Sequence, residues 1–253
     1  MVFAQEPPRT NYDVNFVLGR IPIRVHPLFW LVTVLLGGLS SPPREVLIWV
    51  IVCFVSILVH ELGHAVAILR YGWRPWIVLY AMGGLALHES SSPWQAKQQA
   101  NSPQTQIVIS LAGPGAGIAL GFLTAALIWI SGRSLAMNFF GADLTIGRGP
   151  SLSGVAESLA ADLLWLNICW SLVNLLPIYP LDGGQVAREV LLATTEDGYH
   201  RSLRLSLVAA AAVALFFLLR GELFGAILFG MLAYNNYQML ARGSMGGGPY
   251  SSR

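Results

Sequence analysis

His60-Glu61-Leu62-Gly63-His64 places two imidazoles and a carboxylate within five residues. On a helix, residues four apart share a face, so His60 and His64 can aim ring nitrogens at one zinc ion. Glu61, one residue along, is placed to take a proton from a water activated by that ion rather than to bind it. The chemistry is metal-assisted hydrolysis. Yet the flanking run 46–69 is strongly apolar, and a carboxylate in a membrane helix costs at least about 2.5 kcal/mol even on the gentler insertion scales. Three ionisable groups in five such residues are expensive as mere packing. We therefore expect a hydrolytic centre within a membrane-spanning helix.

A catalytic zinc takes a third protein ligand and leaves one position open. Asp182, in Leu181-Asp182-Gly183-Gly184, closes the fourth apolar segment. Segments two and four run in the same direction if each crosses the membrane, which brings Asp182 to the side that holds His60 and His64. A helix-terminal aspartate beside capping glycines is the plain alternative. Asp162 lies at the opposite end of that segment, whereas His88 and Glu89 fall on the correct side and stay as competitors.

The elements that must position these groups follow from composition. Of 253 residues, 55% are hydrophobic and 11% charged, against about 25% charged in soluble domains. The expected fold class is an all-α polytopic membrane protein, with about six transmembrane helices and a small membrane-associated β-hairpin or sheet. A net charge of +2 gives no case for nucleic acid. Cys53 and Cys169 lie in apolar runs and read as buried thiols. The first residues lack the basic start and apolar core of a cleaved signal, so the first apolar helix is expected to serve as an uncleaved insertion signal.

Six segments approach the length a bilayer requires: 28–39, 46–69, 107–130, 159–178, 205–219 and 223–240. The last two read as a tight helical hairpin around Arg220-Gly221-Glu222. Most Lys and Arg residues, among them Arg9, Arg20, Arg24, Arg70, Arg74, Arg188 and Arg242, gather on one side. Only Arg44, Arg133, Arg148 and Arg220 fall on the other, which puts both termini in the cytoplasm and the His60–His64 pair nearer that face. The expected organisation is a cytoplasmic segment with a lead-in strand (1–27), one membrane domain (28–241, catalytic core 46–184) and a flexible Gly/Ser-rich tail (242–253).

Other features are architectural. Ile21, Ile23 and Val25 alternate with Pro22 and Arg24 as in a short strand. Two apolar runs within 76–88 flank Gly83-Gly84 and predict a β-hairpin, whose open edge must be buried in protein or line a wet cavity. Residues 185–193 read as a short cytoplasmic helix. Gly113, Gly117 and Gly121 form a smooth ridge for close helix packing. His26 beside Pro27 reads as an interfacial histidine, and Trp73, Trp76 and Trp94 as an aromatic belt.

HELGH in the second segment, Leu111-Ala112-Gly113-Pro114 in the third and Asn174-Leu-Leu-Pro177-Ile-Tyr-Pro180-Leu-Asp182-Gly-Gly at the end of the fourth resemble the site-2 protease family of intramembrane zinc metalloproteases. The likeness runs through segments two to four in order and extends to the lead-in strand and the Gly83-Gly84 hairpin. It implies one zinc per chain held by His60, His64 and Asp182, with Glu61 as general base. It also implies a substrate that is a transmembrane helix of another protein, cut within the bilayer. Asn174, Gly83 and Gly84 are the candidate substrate contacts. Two departures stand out: Leu175 follows Asn174 where the family commonly has proline, and Gly115-Ala116-Gly117 occupy positions that often include asparagine. A compact form without PDZ or CBS domains is implied. A zinc-binding adaptor and an ion transporter are the competing readings, and oligomeric state is not encoded in any motif.

Overall fold

The structure is a computed structural model, and it describes residues 6–38, 41–81, 83–89, 102–139 and 142–245. These residues are mostly helical and carry two small sheets. The tail expected at 242–253 lies outside the described residues from 246 onward.

Helices α1 (Pro27–Leu36), α2 (Pro43–Arg70), α3 (Pro103–Ile130), α4 (Val155–Asn174), α5 (Asp182–Thr194), α6 (Gly198–Leu219) and α7 (Leu223–Met245) follow in order. Proline opens the first three, where its missing N–H costs nothing. Glu45 in the first turn of α2 and Arg70 in its last complement the helix dipole. Its 28 residues span about 42 Å at 1.5 Å per residue, ample for a hydrocarbon core of about 30 Å. Among the described residues, α2, α3, α4 and α6 are long and apolar enough to cross a membrane, and α1 is a shorter apolar helix. Six spans were expected; four are present by this measure. Helix α5 coincides with the short helix expected at 185–193, starting three residues earlier.

The described residues form two compact units: those within 6–89 and 112–172, and those within 102–111 and 173–245. In the first, β1 (Val14–Leu18), β2 (Ile21–Val25), β3 (Arg74–Tyr80) and β4 (Gly83–Glu89) make a sheet in that order. Antiparallel pairs β1–β2 and β3–β4 join through the parallel pair β2–β3, with Ile23 opposite Ile77. One face of the sheet, through Ile21, Ile23, Val25, Ile77 and Leu79, packs on Phe29 of α1 and on Ile57 and Ala65 of α2. That apolar contact ties the sheet to the helix bearing His60 and His64. Arg24 points the other way yet is buried, because the N-terminal segment folds over it. Its guanidinium pairs with Glu6 and Asp13, each at 2.9 Å, and donates to the Pro7 carbonyl. Burial alone would raise the Asp13 carboxyl, but hydrogen bonds from Thr10 and Arg24 outweigh it and hold the pKa at about 2.

Two features differ from expectation. The hairpin turn comes before the glycines: Tyr80 pairs with Gly83 and Leu79 with Gly84, so both glycines open strand β4. A second hairpin, β5 (Ser134–Phe139) with β6 (Ala142–Gly147), follows α3. Strand β5 alternates as a half-buried strand does, with Leu135 buried and Met137 and Phe139 half-buried between exposed Ala136 and Asn138, whereas β6 is largely exposed and shows no such in–out burial.

In the second unit, α6 and α7 form the expected hairpin, closed by the Glu222 amide donating to the Phe217 carbonyl at 2.9 Å. Phe217 stacks on Phe229 at 5.7 Å, and Ile178, Ala210, Phe229 and Leu232 build the core.

Candidate active site

His60 and His64 lie one turn apart on the buried face of α2, 3% and 7% exposed, with Glu61 at 5%. Their Nε2 atoms are 3.2 Å apart, and their rings meet edge to face at 4.9 Å. Two imidazole nitrogens bound to one tetrahedral zinc at 2.0–2.1 Å stand about 3.3 Å from each other by geometry alone. The observed separation fits that ion without rearrangement. His60, Glu61 and His64 are the group found among the described residues whose potential ligand atoms all fall within 4.8 Å of one another.

Glycines let two neighbours, β4 and α3, close on this group. A Cβ at Gly84 of β4 would overlap the Glu61 side chain, and one at Gly113 of α3 would overlap the His64 ring. A Cβ at Gly63 would strike the Ala112 carbonyl and sit 2.8 Å from the Ala116 Cβ. The glycine ridge of α3 thus touches α2 only at Gly113; Gly117 and Gly121 face Ser171 and Ile168 of α4. Gly83 has φ of +120°, and a Cβ there would come within 3.3 Å of Trp170. The edge strand β4 therefore runs beside Glu61, with Gly84 against it.

Asn167, which motif reading missed, makes a buried interhelical bond near the site. Its Nδ2 donates to the Ser56 Oγ at 2.8 Å and to the Leu163 carbonyl at 2.8 Å. This bond joins α4 to α2 one turn before His60. An amide in the middle of an apolar helix was the available signal.

His26 and His88 make structural contacts. His26 caps α1, its Nδ1 accepting from the Leu28 amide at 3.1 Å, and its ring meets Tyr80 edge to face. His88 stacks on Trp73 at 4.7 Å, and burial pushes its imidazole below the usual basicity. Asp162 shares a cavity with Glu45 of the first turn of α2, fifteen residues from His60 and so about 22 Å along the helix. Asn174 ends α4 and Asp182 begins α5; both are buried and belong to the second unit. There, Gly183 and Gly184 press so closely on the backbone of Leu175, Leu176, Ile178 and Tyr179 that no side chain fits. This explains the paired glycines after Asp182.

The sequence profile of Peptidase family M50 matches residues 48–219. A zinc metalloprotease of Methanocaldococcus jannaschii is 29% identical over 217 residues, 84% of this chain and 55% of that protein. Stage IV sporulation protein FB of Bacillus subtilis is 25% identical over 189 residues, 74% of this chain and 53% of the relative. The chain spans about half the length of these curated relatives. Among solved structures, a site-2 protease from Methanocaldococcus jannaschii shares the fold, with a TM-score of 0.54 at 24% identity, covering 90% of this chain and 95% of that one. With the profile covering more than half the chain and falling on the helix that carries HELGH, the chain belongs to Peptidase family M50, the site-2 protease family of zinc metalloproteases.

Proposed function

We propose that this chain is an intramembrane zinc metalloendopeptidase that hydrolyses a peptide bond in or near a transmembrane helix of a membrane-protein substrate, as in regulated intramembrane proteolysis. The observation that carries this reading is the 3.2 Å approach of two imidazole nitrogens inside a helix apolar enough to span a bilayer. Family membership supports it.

In this reading His60, His64 and Asp182 hold one zinc ion. Bound zinc supplies Lewis acidity, polarising a carbonyl and bringing the pKa of a water to near 7. Glu61 takes the proton of the attacking water and delivers it to the departing nitrogen. Its burial keeps bulk water from competing for that proton. Gly84 leaves the carboxylate room to do so, since any side chain there would displace it.

A helical substrate holds its carbonyls in closed hydrogen bonds and must unwind to react. Strand β4 lies at the edge of its sheet, so its outward backbone groups can pair with the unwound segment, a case of β-augmentation. Gly83 and Gly84 then lie along the substrate, and Asn174 contacts it from the end of α4. Helices α1 and α7 join the four long helices to make six membrane segments, with both termini and the active site toward the cytoplasm. The lipid bilayer and a spanning protein are the partners.

The test is Glu61→Gln in purified protein, against wild type, on a reporter peptide that spans a liposome bilayer. Loss of cleavage with zinc content retained is expected. Equal cleavage by the variant would remove Glu61 as the base, and no cleavage by wild type under the same conditions would remove the protease assignment and favour the adaptor reading. Metal analysis of Asp182→Ala and His64→Ala addresses the ligands. Proline at alternate positions of β4 should slow cleavage and leave the metal in place.

A further inference from the structure

Helix α6 buries Ser202, which donates to the Tyr199 carbonyl on its own helix, and Ser206; α7 buries Asn236, and no motif explains the last two. Ser206 is 1% exposed and Asn236 is 0% exposed. Polar groups in membrane helices usually join helix to helix; these two instead reach the same non-helical residue, Tyr179. The Tyr179 amide donates to the Ser206 Oγ at 3.0 Å, and the Tyr179 carbonyl accepts from the Asn236 Nδ2 at 2.7 Å. The second Nδ2 proton of Asn236 goes to the Leu232 carbonyl at 2.8 Å, one turn back on its own helix. The amide is therefore oriented by two carbonyls, and only its N–H edge can face them.

Tyr179 stands three residues before Asp182, in a turn closed by the Leu181 amide on the Ile178 carbonyl at 2.8 Å. Ile178 is fully buried against Ala210 of α6 and Phe229 of α7. The first turn of α5 rests directly on this backbone through Gly184, which touches Ile178 and Tyr179 without room for a Cβ. A shift of the Tyr179 peptide must therefore move the start of α5, where Asp182 sits.

We infer that Ser206 and Asn236 are positioning residues for the metal centre: by fixing both backbone groups of Tyr179 they set where the Asp182 carboxylate stands, and so tune metal affinity. This rests on the reading of Asp182 as the third ligand. Partners that orient a metal ligand are typically worth ten- to a hundredfold in affinity.

The experiment uses the full chain in detergent, with zinc affinity from chelator competition and the visible spectrum of the Co2+-substituted protein. The variants are Ser206→Ala, Ser206→Thr, Asn236→Leu, Asp182→Ala and the double variant Asp182→Ala/Asn236→Leu. Expected are a loss of about tenfold or more for Ser206→Ala and Asn236→Leu, rescue by Ser206→Thr, and a Co2+ spectrum for Asn236→Leu displaced toward that of Asp182→Ala. In the Asp182→Ala background, Asn236→Leu should add nothing. Wild-type affinity and spectrum in both single variants, or an equal loss in that background, would overturn the inference while leaving the ligand standing. Unchanged affinity in Asp182→Ala itself would overturn the ligand assignment, and the inference with it. Should Asn236→Leu fail to fold, Ser206→Ala, which removes one oxygen, enters the same double-variant comparison.

Discussion

Replacing Gly113 with alanine tests whether the face of α3 defines the metal pocket. The added methyl would overlap Nε2, Cε1 and Cδ2 of His64, whereas non-bonded heavy atoms settle at about 3.5 Å or more. The ring must therefore retreat by roughly an ångström. Its Nε2 now stands 3.2 Å from that of His60, close to the spacing one tetrahedral ion requires, and such sites tolerate displacements of about 0.5 Å. A misplacement of an ångström can cost about a hundredfold in rate. Gly113→Ala should accordingly lose at least about a hundredfold in kcat/KM and most of its zinc. Helix propensity works in the opposite direction, since alanine gains up to about 1 kcal/mol over glycine; the fold itself should not suffer. Gly115, two residues on, provides the control, because a Cβ there meets nothing within 4 Å, and Gly115→Ala should keep both zinc and activity. The assay is elemental zinc per chain beside cleavage of a bilayer-spanning reporter. Gly113→Ala with wild-type zinc and turnover would refute the packing argument.

Gly84→Ala should lower kcat while zinc stays bound, since the methyl meets Glu61 rather than a ligand; elemental analysis and initial rates separate the two effects. Asn167→Leu removes the bond to Ser56 and should lower stability by about 0.6 to 1.7 kcal/mol, the range of hydrogen bonds between membrane helices, read from unfolding in mixed micelles. The Asp13 carboxyl is held at about 2, below the ordinary 3.8, so its pairing with Arg24 is fully present above pH 4 and is lost as pH falls from 4 toward 2. Hydrogen exchange of residues 6–13 should rise across that window, and in Asp13→Asn it should be raised already at neutral pH.

How much of this was legible in the sequence depended on whether the signal was local. HELGH on an apolar run specified helix, spacing and chemistry together, because i and i+4 adjacency belongs to any helix. The β3–β4 hairpin was legible from two apolar runs, but its turn was misplaced. Gly83 and Gly84 suggested turn residues, whereas they are strand residues kept small by Trp170 and Glu61, side chains distant in sequence. Strand β1 gave no signal, since its mostly exposed residues need no apolar alternation. Strand β6 is largely exposed too, but β5 does alternate through Leu135, Met137 and Phe139 and was the available local signal for that hairpin. Ser206 and Asn236 could be seen as polar residues in apolar helices, yet their shared partner Tyr179 appears only once α6 and α7 are folded against the turn. The same holds for Asn167 and Ser56, 111 positions apart.

The parallel pairing of β2 with β3 has a consequence for biogenesis. Ile23 lies opposite Ile77, with α1 and α2 between them in the chain, so the β1–β2 ribbon emerges from the ribosome with no neighbour on one side. That side is filled only after the helix carrying HELGH has been synthesised and residues 77–79 have followed it. Assembly of the sheet thus registers that the chain has come back beside β2 after α1 and α2, and a nascent chain halted at Arg70 would leave Ile23 and Val25 without their partners on the β3 side.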